Sequence, residues 1–320
     1  MSDRRPDLAA LGRIGFVGVG AAGSTLARVL ADRGAQVSTL ATRHPDATRA
    51  MAAVLPGAPA VESPAGVMAA SDVVFLAVPD DAIAGLVAAL PWRAEQAVIH
   101  LSGAHPAALL APAAARGARI AALHPMMTFT RQPSGTPVSA LLDRLAGVTW
   151  ALDCADLALA ADLEALVAAL GGHVIRLGPD DRLPYHISGV LASNYIVALL
   201  GAATELWVNF GVPQAEALRA LLPLLRATVE NLATAGLPAA LTGPVARGDA
   251  GTVAAHLAWL DEHAGRDSRL AALRDAYRAL GRVALPLAEA KGTLIPEAAV
   301  RLVALLSDVG GADGAGGERP

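Results

Sequence analysis

Arg13-Ile14-Gly15-Phe16-Val17-Gly18-Val19-Gly20-Ala21-Ala22-Gly23 is the stretch on which the reading of this chain turns. An apolar run of strand length enters a G-x-G-x-x-G turn, and Ser24-Thr25-Leu26-Ala27-Arg28-Val29-Leu30 continues with helical spacing. In a strand-turn-helix unit Gly18 permits the tight turn, Gly20 lets the backbone approach a pyrophosphate, and Gly23 lets helix and strand pack closely. The backbone of Gly18, Val19, Gly20, Ala21, Ala22 and Gly23 would then offer the unpaired N–H groups of a helix start to an anion.

Working outward, Ala35 to Leu40 reads as a second strand. A chain that holds an unphosphorylated ribose usually places a carboxylate at this strand's end. Here Ala41-Thr42-Arg43-His44 follows, with no acid before Asp46. A hydroxyl and a guanidinium suit a 2′-phosphate, so Thr42 and Arg43 point to NADP rather than NAD. Ala58 to Glu62 is a short third strand, and Asp72 to Val78 is a near-continuous apolar run of the kind buried in parallel sheets. Ligands bind beyond the carboxyl ends of such strands, so the turn Val78-Pro79-Asp80 should border the cofactor, with an aspartate capping the next helix. Further strands are expected at 97–101, 119–123, 147–152 and 172–177, with a helix from Asp156 to Leu170. The alternation gives an α/β fold with a doubly wound parallel Rossmann sheet over residues 1–178.

From Asp181 to Leu306 the spacing is helical throughout, and Pro223 predicts a kink or break in a helix from Ala215 to Ala235. The organisation expected is a dinucleotide-binding domain over 1–178, an all-helical substrate and dimerisation domain over 179–308, and a disordered tail over 309–320.

Composition narrows the class. The 320 residues are 54% hydrophobic, largely through alanine, and only 3% aromatic. A net charge of −4 gives no footprint for nucleic acid or an anionic membrane. Cys154 is the single cysteine, so no intrachain disulfide can form, and Met1 to Asp7 lacks the apolar core of a signal peptide; both suit the cytoplasm. The apolar stretch Val190 to Val208 is interrupted by Ser193, Asn194, Thr204 and Glu205 and reads as a buried helix, not a membrane span. Scattered histidines and one cysteine make no metal motif.

Three groups could carry chemistry. Ser102 and His124 both follow expected strands at the cofactor edge, and a histidine there can exchange a proton with a carbonyl or imine. His186 and Ser193 fall within roughly 20° on one helix face, with Asn194 flanking them. Buried, satisfied polar groups are the alternative for both. In Leu241-Thr242-Gly243-Pro244-Val245-Ala246-Arg247-Gly248-Asp249, Arg247 could clamp a carboxylate or a phosphate in two-pronged fashion, a plain turn between helices being the alternative, and Asp249 or Thr252 could cap the following helix.

Four motifs in order, GVGAAG (Gly18–Gly23), AVPDDAI (Ala77–Ile83), HPMMTF (His124–Phe129) and SNY followed by LTGPVARGD, resemble the Rossmann-like proteins that end in a domain of unknown function 2520. Those proteins are similar in their helical half to 6-phosphogluconate dehydrogenase, and so to ketopantoate, pyrroline-5-carboxylate and prephenate enzymes. The resemblance implies an NAD(P)-dependent oxidoreductase acting on CH–OH or CH–NH groups of a small carboxylate-bearing substrate, ketopantoate for instance, and a homodimer through the helical domain. Ser102 and His124-Pro125 resemble the serine and catalytic histidine of prephenate dehydrogenases, and Asn194 the helix asparagine of hydroxyacid dehydrogenases. Val190 stands where the latter carry a lysine, which moves the proton-transfer role to His186 or His124. A prephenate- or arogenate-type dehydrogenase and a non-catalytic NADP sensor are the alternatives.

Overall fold

The computed structural model describes residues 8–57, 59–133, 135–265 and 267–307, so Ala58 and the tail expected at 309–320 lie outside the described residues. The chain divides into two compact units, one through Asn194 and one from Tyr195.

The first unit alternates strand and helix: β1 (Arg13–Val17), α1 (Ala21–Asp32), β2 (Gln36–Ala41), α2 (Pro45–Ala52), β3 (Ala60–Val61), α3 (Pro64–Ala70), β4 (Val73–Leu76) and α4 (Asp80–Ala89). It continues with β5 (Ala97–His100), α5 (Ala111–Ala114), β6 (Arg119–Pro125), α6 (Val138–Leu145), β7 (Thr149–Asp153), α7 (Leu157–Ala169), β8 (His173–Arg176) and α8 (Arg182–Gly189). The eight strands lie in the order β3-β2-β1-β4-β5-β6-β7-β8, so the winding reverses between β1 and β4. That switch point is where a doubly wound sheet opens its ligand crevice.

Strand alternation sends side chains to two separate cores. Ile14, Phe16, Phe75, Ile99 and Leu123 pack with Leu26 and Leu30 of α1, Leu141 and Leu145 of α6 and Leu163 of α7. Val17, Val74, Leu76 and Val98 pack on the opposite face with Met68 of α3 and Ile83 and Val87 of α4. Phe16 and Phe75 stack at 5.1 Å across neighbouring β1 and β4. The strands are therefore covered on both faces, which explains their continuous apolar runs.

One pair departs from the all-parallel expectation. β7 runs antiparallel to β6, with His124 opposite Ala151. The connection leaves and re-enters the sheet at the same edge, where the Met126 N–H donates to Thr149 O at 2.8 Å. Strand direction leaves no mark on apolar periodicity.

The first unit also runs past Gly178 to include α8. Arg182 draws this helix onto the sheet: its side chain is 1% exposed, and its guanidinium donates to Ser102 O at 3.1 Å and to Ala122 O at 3.0 Å. After α8, Val190–Asn194 is a π-helical turn.

The second unit is all helical: α9 (Tyr195–Val208), α10 (Gln214–Ala235), α11 (Gly243–Ala246), α12 (Ala250–Ala264), α13 (Ser268–Lys291) and α14 (Pro296–Leu306). Its core joins Val253 and Leu257 of α12, Leu285 of α13 and Leu302 and Leu306 of α14. α10 stays one helix across Pro223. The Val190–Val208 stretch is not the buried helix that its composition predicts. Thr204 is the one buried residue of α9, and Ala217 the one in α10. The apolar side chains of Val197, Val208, Leu224 and Val229 are exposed among the described residues. By length and composition alone, the helical stretch Arg182–Val208 could cross a membrane, at a mean hydropathy of 1.6.

Candidate active site

The glycine turn has the shape its residues dictate. Gly18 sits at φ +97°, and a Cβ there would lie 2.3 Å from Ala77 O. A Cβ on Gly23 would lie 2.2 Å from Gly18 O, so only glycine allows α1 this close to β1. Gly20 is different: a Cβ there would meet nothing within 4 Å. The space in front of Gly20 is open, at the N-cap of a helix that has no side-chain cap and no acid in its first turn. Uncapped N–H groups beside an open glycine fit a pyrophosphate.

At the end of β2, Thr42 is committed to the turn. Its hydroxyl donates to His44 O and accepts the His44 N–H, each at 2.9 Å, and lies 2.7 Å from Thr48 Oγ1. Arg43 is exposed and, among the described residues, has no partner. The nearby Asp46 carboxylate is paired with Arg49, which leaves Arg43 as the net charge at this edge. Val78 and Pro79 follow β4, and Asp80 begins α4 without capping it.

Asp80 turns instead to the end of β5. Ser102 Oγ donates to Asp80 Oδ2 at 2.7 Å and lies 3.0 Å from His105 Nδ1. The sequence pairs Ser102 with His124; the structure gives its side chain to Asp80 and His105. Each remaining polar group of Ser102 is also fixed. Its N–H donates to His100 Nδ1 at 3.2 Å and its carbonyl accepts from Arg182. His100 Nε2 in turn reaches Pro106 O at 3.1 Å, and burial depresses this histidine's pKa to about 4.

Gly103 follows, with no room for a side chain. A Cβ there would lie 2.7 Å from His186 Nδ1 and 2.9 Å from His124 Nε2. The two imidazoles cross edge to face at 6.2 Å. Half of the eight histidines, His100, His105, His124 and His186, thus border the Ser102-Gly103 segment. Tyr185 Oη donates to His124 O at 3.3 Å and lies 2.9 Å from His124 Nδ1. With the phenol proton on the carbonyl, Nδ1–H is the donor to Oη and Nε2 keeps its lone pair. Burial, with a further contribution from His186, holds His124 at a pKa of about 4, and burial raises Tyr185 to about 12. At neutral pH both are uncharged.

The other candidates fall elsewhere. His186 and Ser193 were placed on one face by 100° steps, but the intervening π turn adds residues per turn and breaks that phase. Ser193 is half-buried and Asn194 exposed. In the second unit Arg247 is exposed at the end of α11, and Asp249 caps α12 by accepting the Thr252 N–H at 3.0 Å. Lys291 Nζ donates to Ala239 O and Leu241 O at 2.9 and 2.7 Å and shapes this loop. Among the described residues no cluster of three or more His, Cys, Asp or Glu is arranged to hold a metal ion. The sequence reading placed Asp80 only in the turn bordering the cofactor and missed the roles of His105, Tyr185 and Arg182. Ser102-Gly103-Ala104-His105 in a turn after a strand was the available signal for His105.

Residues 13–103 match the family model described as NADP oxidoreductase, coenzyme F420-dependent, and residues 148–284 the model described as domain of unknown function 2520. No curated protein matches the chain. Among solved structures, a Bacteroides fragilis protein described as an NADP oxidoreductase is 21% identical, covering 86% of this chain and 98% of its own, with a TM-score of 0.64. The Streptococcus pyogenes 1-pyrroline-5-carboxylate reductase is 18% identical, covering 86% and 98%, with a TM-score of 0.55. The Aspergillus terreus reductive aminase in complex with NADPH and ethyl levulinate is 20% identical, covering 91% and 98%, with a TM-score of 0.57. At these identities the likeness is one of fold.

Proposed function

Since the chain joins a Rossmann segment of the NADP-oxidoreductase type to a segment of the domain of unknown function 2520, we propose that it is an NADPH-dependent reductase of small C=N or C=O compounds bearing a carboxylate. The open glycine cradle at Gly20 carries this reading. Gly18 to Gly23 would hold the pyrophosphate, Arg43 the 2′-phosphate, and Val78 and Pro79 the edge of the nicotinamide half. When bound, NADPH supplies the hydride.

The chain's own groups would hold and orient the substrate. Neutral His124, fixed by Tyr185, offers its Nε2 lone pair to a donor on the substrate, and His186 lines the other side of Gly103. Asn194 and Ser193 would position the reacting group, and Arg247, at the end of α11 in the second unit, is a separate candidate for binding an anion. A pyrroline-5-carboxylate reductase and a reductive aminase stand among the structural neighbours, which favours C=N over C=O. Ketopantoate is the specific carbonyl substrate to set beside the imines. The exposed apolar faces of α9 and α10 suit a second copy of the chain, a homodimer through the helical unit, in the cytoplasm.

The test is a titration with NADPH and NADH, followed by NADPH oxidation on a panel of cyclic imines, ketone–amine pairs and 2-keto acids. The protein should prefer NADPH. Arg43→Gln should weaken NADPH binding about tenfold to a hundredfold, the worth of a hydrogen-bonded ion pair, and leave NADH unchanged. Equal loss for both cofactors would show that Arg43 does not read the phosphate. Binding with no turnover on any compound would leave a sensor.

A further inference from the structure

We propose that His105, backed by Asp80 and Ser102, delivers the proton that accompanies hydride addition; this rests on the reductase reading above.

Hydrogen accounting fixes the ring. A serine hydroxyl has one proton, and Ser102 gives it to Asp80 Oδ2 at 2.7 Å. Both His105 groups beside Oγ must then donate: the backbone N–H at 3.2 Å and the ring Nδ1–H at 3.0 Å. Nδ1 also lies 3.4 Å from Asp80 Oδ2, with the imidazole side chain 41% exposed. In the neutral ring the proton therefore sits on Nδ1, and Nε2 has no partner among the described residues. His105 can gain or lose a proton at Nε2 without giving up its support on Nδ1. A carboxylate that orients Nδ1–H and stabilises the imidazolium is the arrangement that general acid–base histidines use.

Two of the other histidines at this segment lack this freedom. His100 is buried with both nitrogens engaged, and His124 is neutral and held by Tyr185. Asp80 and His105 follow β4 and β5, on the side of the switch point that receives the nicotinamide half in doubly wound sheets.

The step balances. For a C=N substrate, the hydride from NADPH forms the new C–H bond, and the π pair moves to nitrogen. The His105 imidazolium gives its Nε2 proton to that nitrogen, leaving amine, NADP⁺ and neutral His105. The exposed ring regains its proton from water. For C=O the proton goes to oxygen.

The experiment follows the histidine ring nitrogens by two-bond ¹H–¹⁵N correlation across pH, on the full chain with NADPH. His105 should show the Nδ1–H tautomer when neutral. Asp80→Asn, which removes the carboxylate 3.4 Å from Nδ1, should weaken that tautomer preference. Ser102→Ala, which keeps the charge and removes the bridge, should weaken the tautomer preference. The charged and titratable groups near this ring include Asp80 from α4, His100 from β5 and Arg182 from α8, which reaches Ser102 O, so the tautomer is read with His100 and Arg182 intact. With a substrate from the panel, His105→Gln should lower kcat about 100-fold, with NADPH affinity unchanged. An Nε2–H tautomer, an unchanged tautomer preference in Asp80→Asn, or wild-type kcat in His105→Gln overturns the proposal. A wild-type protein that oxidises NADPH on no substrate overturns the reductase reading instead, and the ring titration tells the two failures apart.

Discussion

Arg182→Met is expected to destabilise the first unit by about 3–5 kcal/mol, the cost of breaking a buried pair from one side. The side chain is 1% exposed and joins three strands through one planar group. It donates to the carbonyl of Ser102 after β5 at 3.1 Å and to that of Ala122 in β6 at 3.0 Å. Its Nε faces Asp153 of β7 at 3.6 Å. Burial lowers the guanidinium's pKa, but a guanidinium stays protonated in proteins, so the charge must be met where it sits. Methionine fills much of the volume and removes the guanidinium donors to both carbonyls. It also leaves the Asp153 carboxylate with the Ala107 N–H, at 2.7 Å, in place of its cation. Arg182→Lys keeps the charge, but a single ammonium lacks the fork that reaches both carbonyls, and should lie between. Urea unfolding monitored on the full chain reads the effect as a lower midpoint at unchanged slope. A loss under about 1 kcal/mol would show that the pair is worth no more than a solvent-exposed one.

The same residue shows what the sequence could and could not reveal. The glycine turn was legible because its three glycines do separable things: two fill space that no Cβ can share, and one leaves space for a ligand. The strands were legible because burial on both faces makes them uniformly apolar. Arg182 follows Asp180-Asp181 and has the look of a solvated charge. Its partners lie 80 and 60 residues away, and no local pattern encodes them. Asp80 looked like a helix cap, because aspartates at helix starts usually are, yet the Ser102 hydroxyl competes for its carboxylate. Helical phase failed between His186 and Ser193 for a different reason. A π turn changes the residue count per turn, and the composition of Val190–Asn194 does not announce it.

Acid should unfold the first unit in a window set by two histidines. His100 and His124 each fall from the ordinary 6.5 to about 4 in the folded chain, mainly because burial disfavours the imidazolium. Between those values the unfolded chain binds protons that the folded chain refuses, so stability rises with pH there. The contribution is complete above about 6.5 and is lost progressively as pH falls toward 4. At about 1.4 kcal/mol per unit of pKa difference, the two together cost several kcal/mol by the bottom of the window. The carboxylates act lower. Asp72, held down chiefly by its hydrogen bonds from Arg13, sits below its ordinary 3.8 and loses its contribution only as pH falls through that range. Urea midpoints measured from pH 7.5 to 4.5 should therefore drop steeply before Asp72 titrates. His124→Asn removes one of the two groups and should flatten that slope by roughly half, since each carries a comparable shift. A wild-type midpoint that is level across the window would mean that both rings accept protons in the folded state, and that neither is held neutral against Tyr185 and Pro106 as the geometry requires.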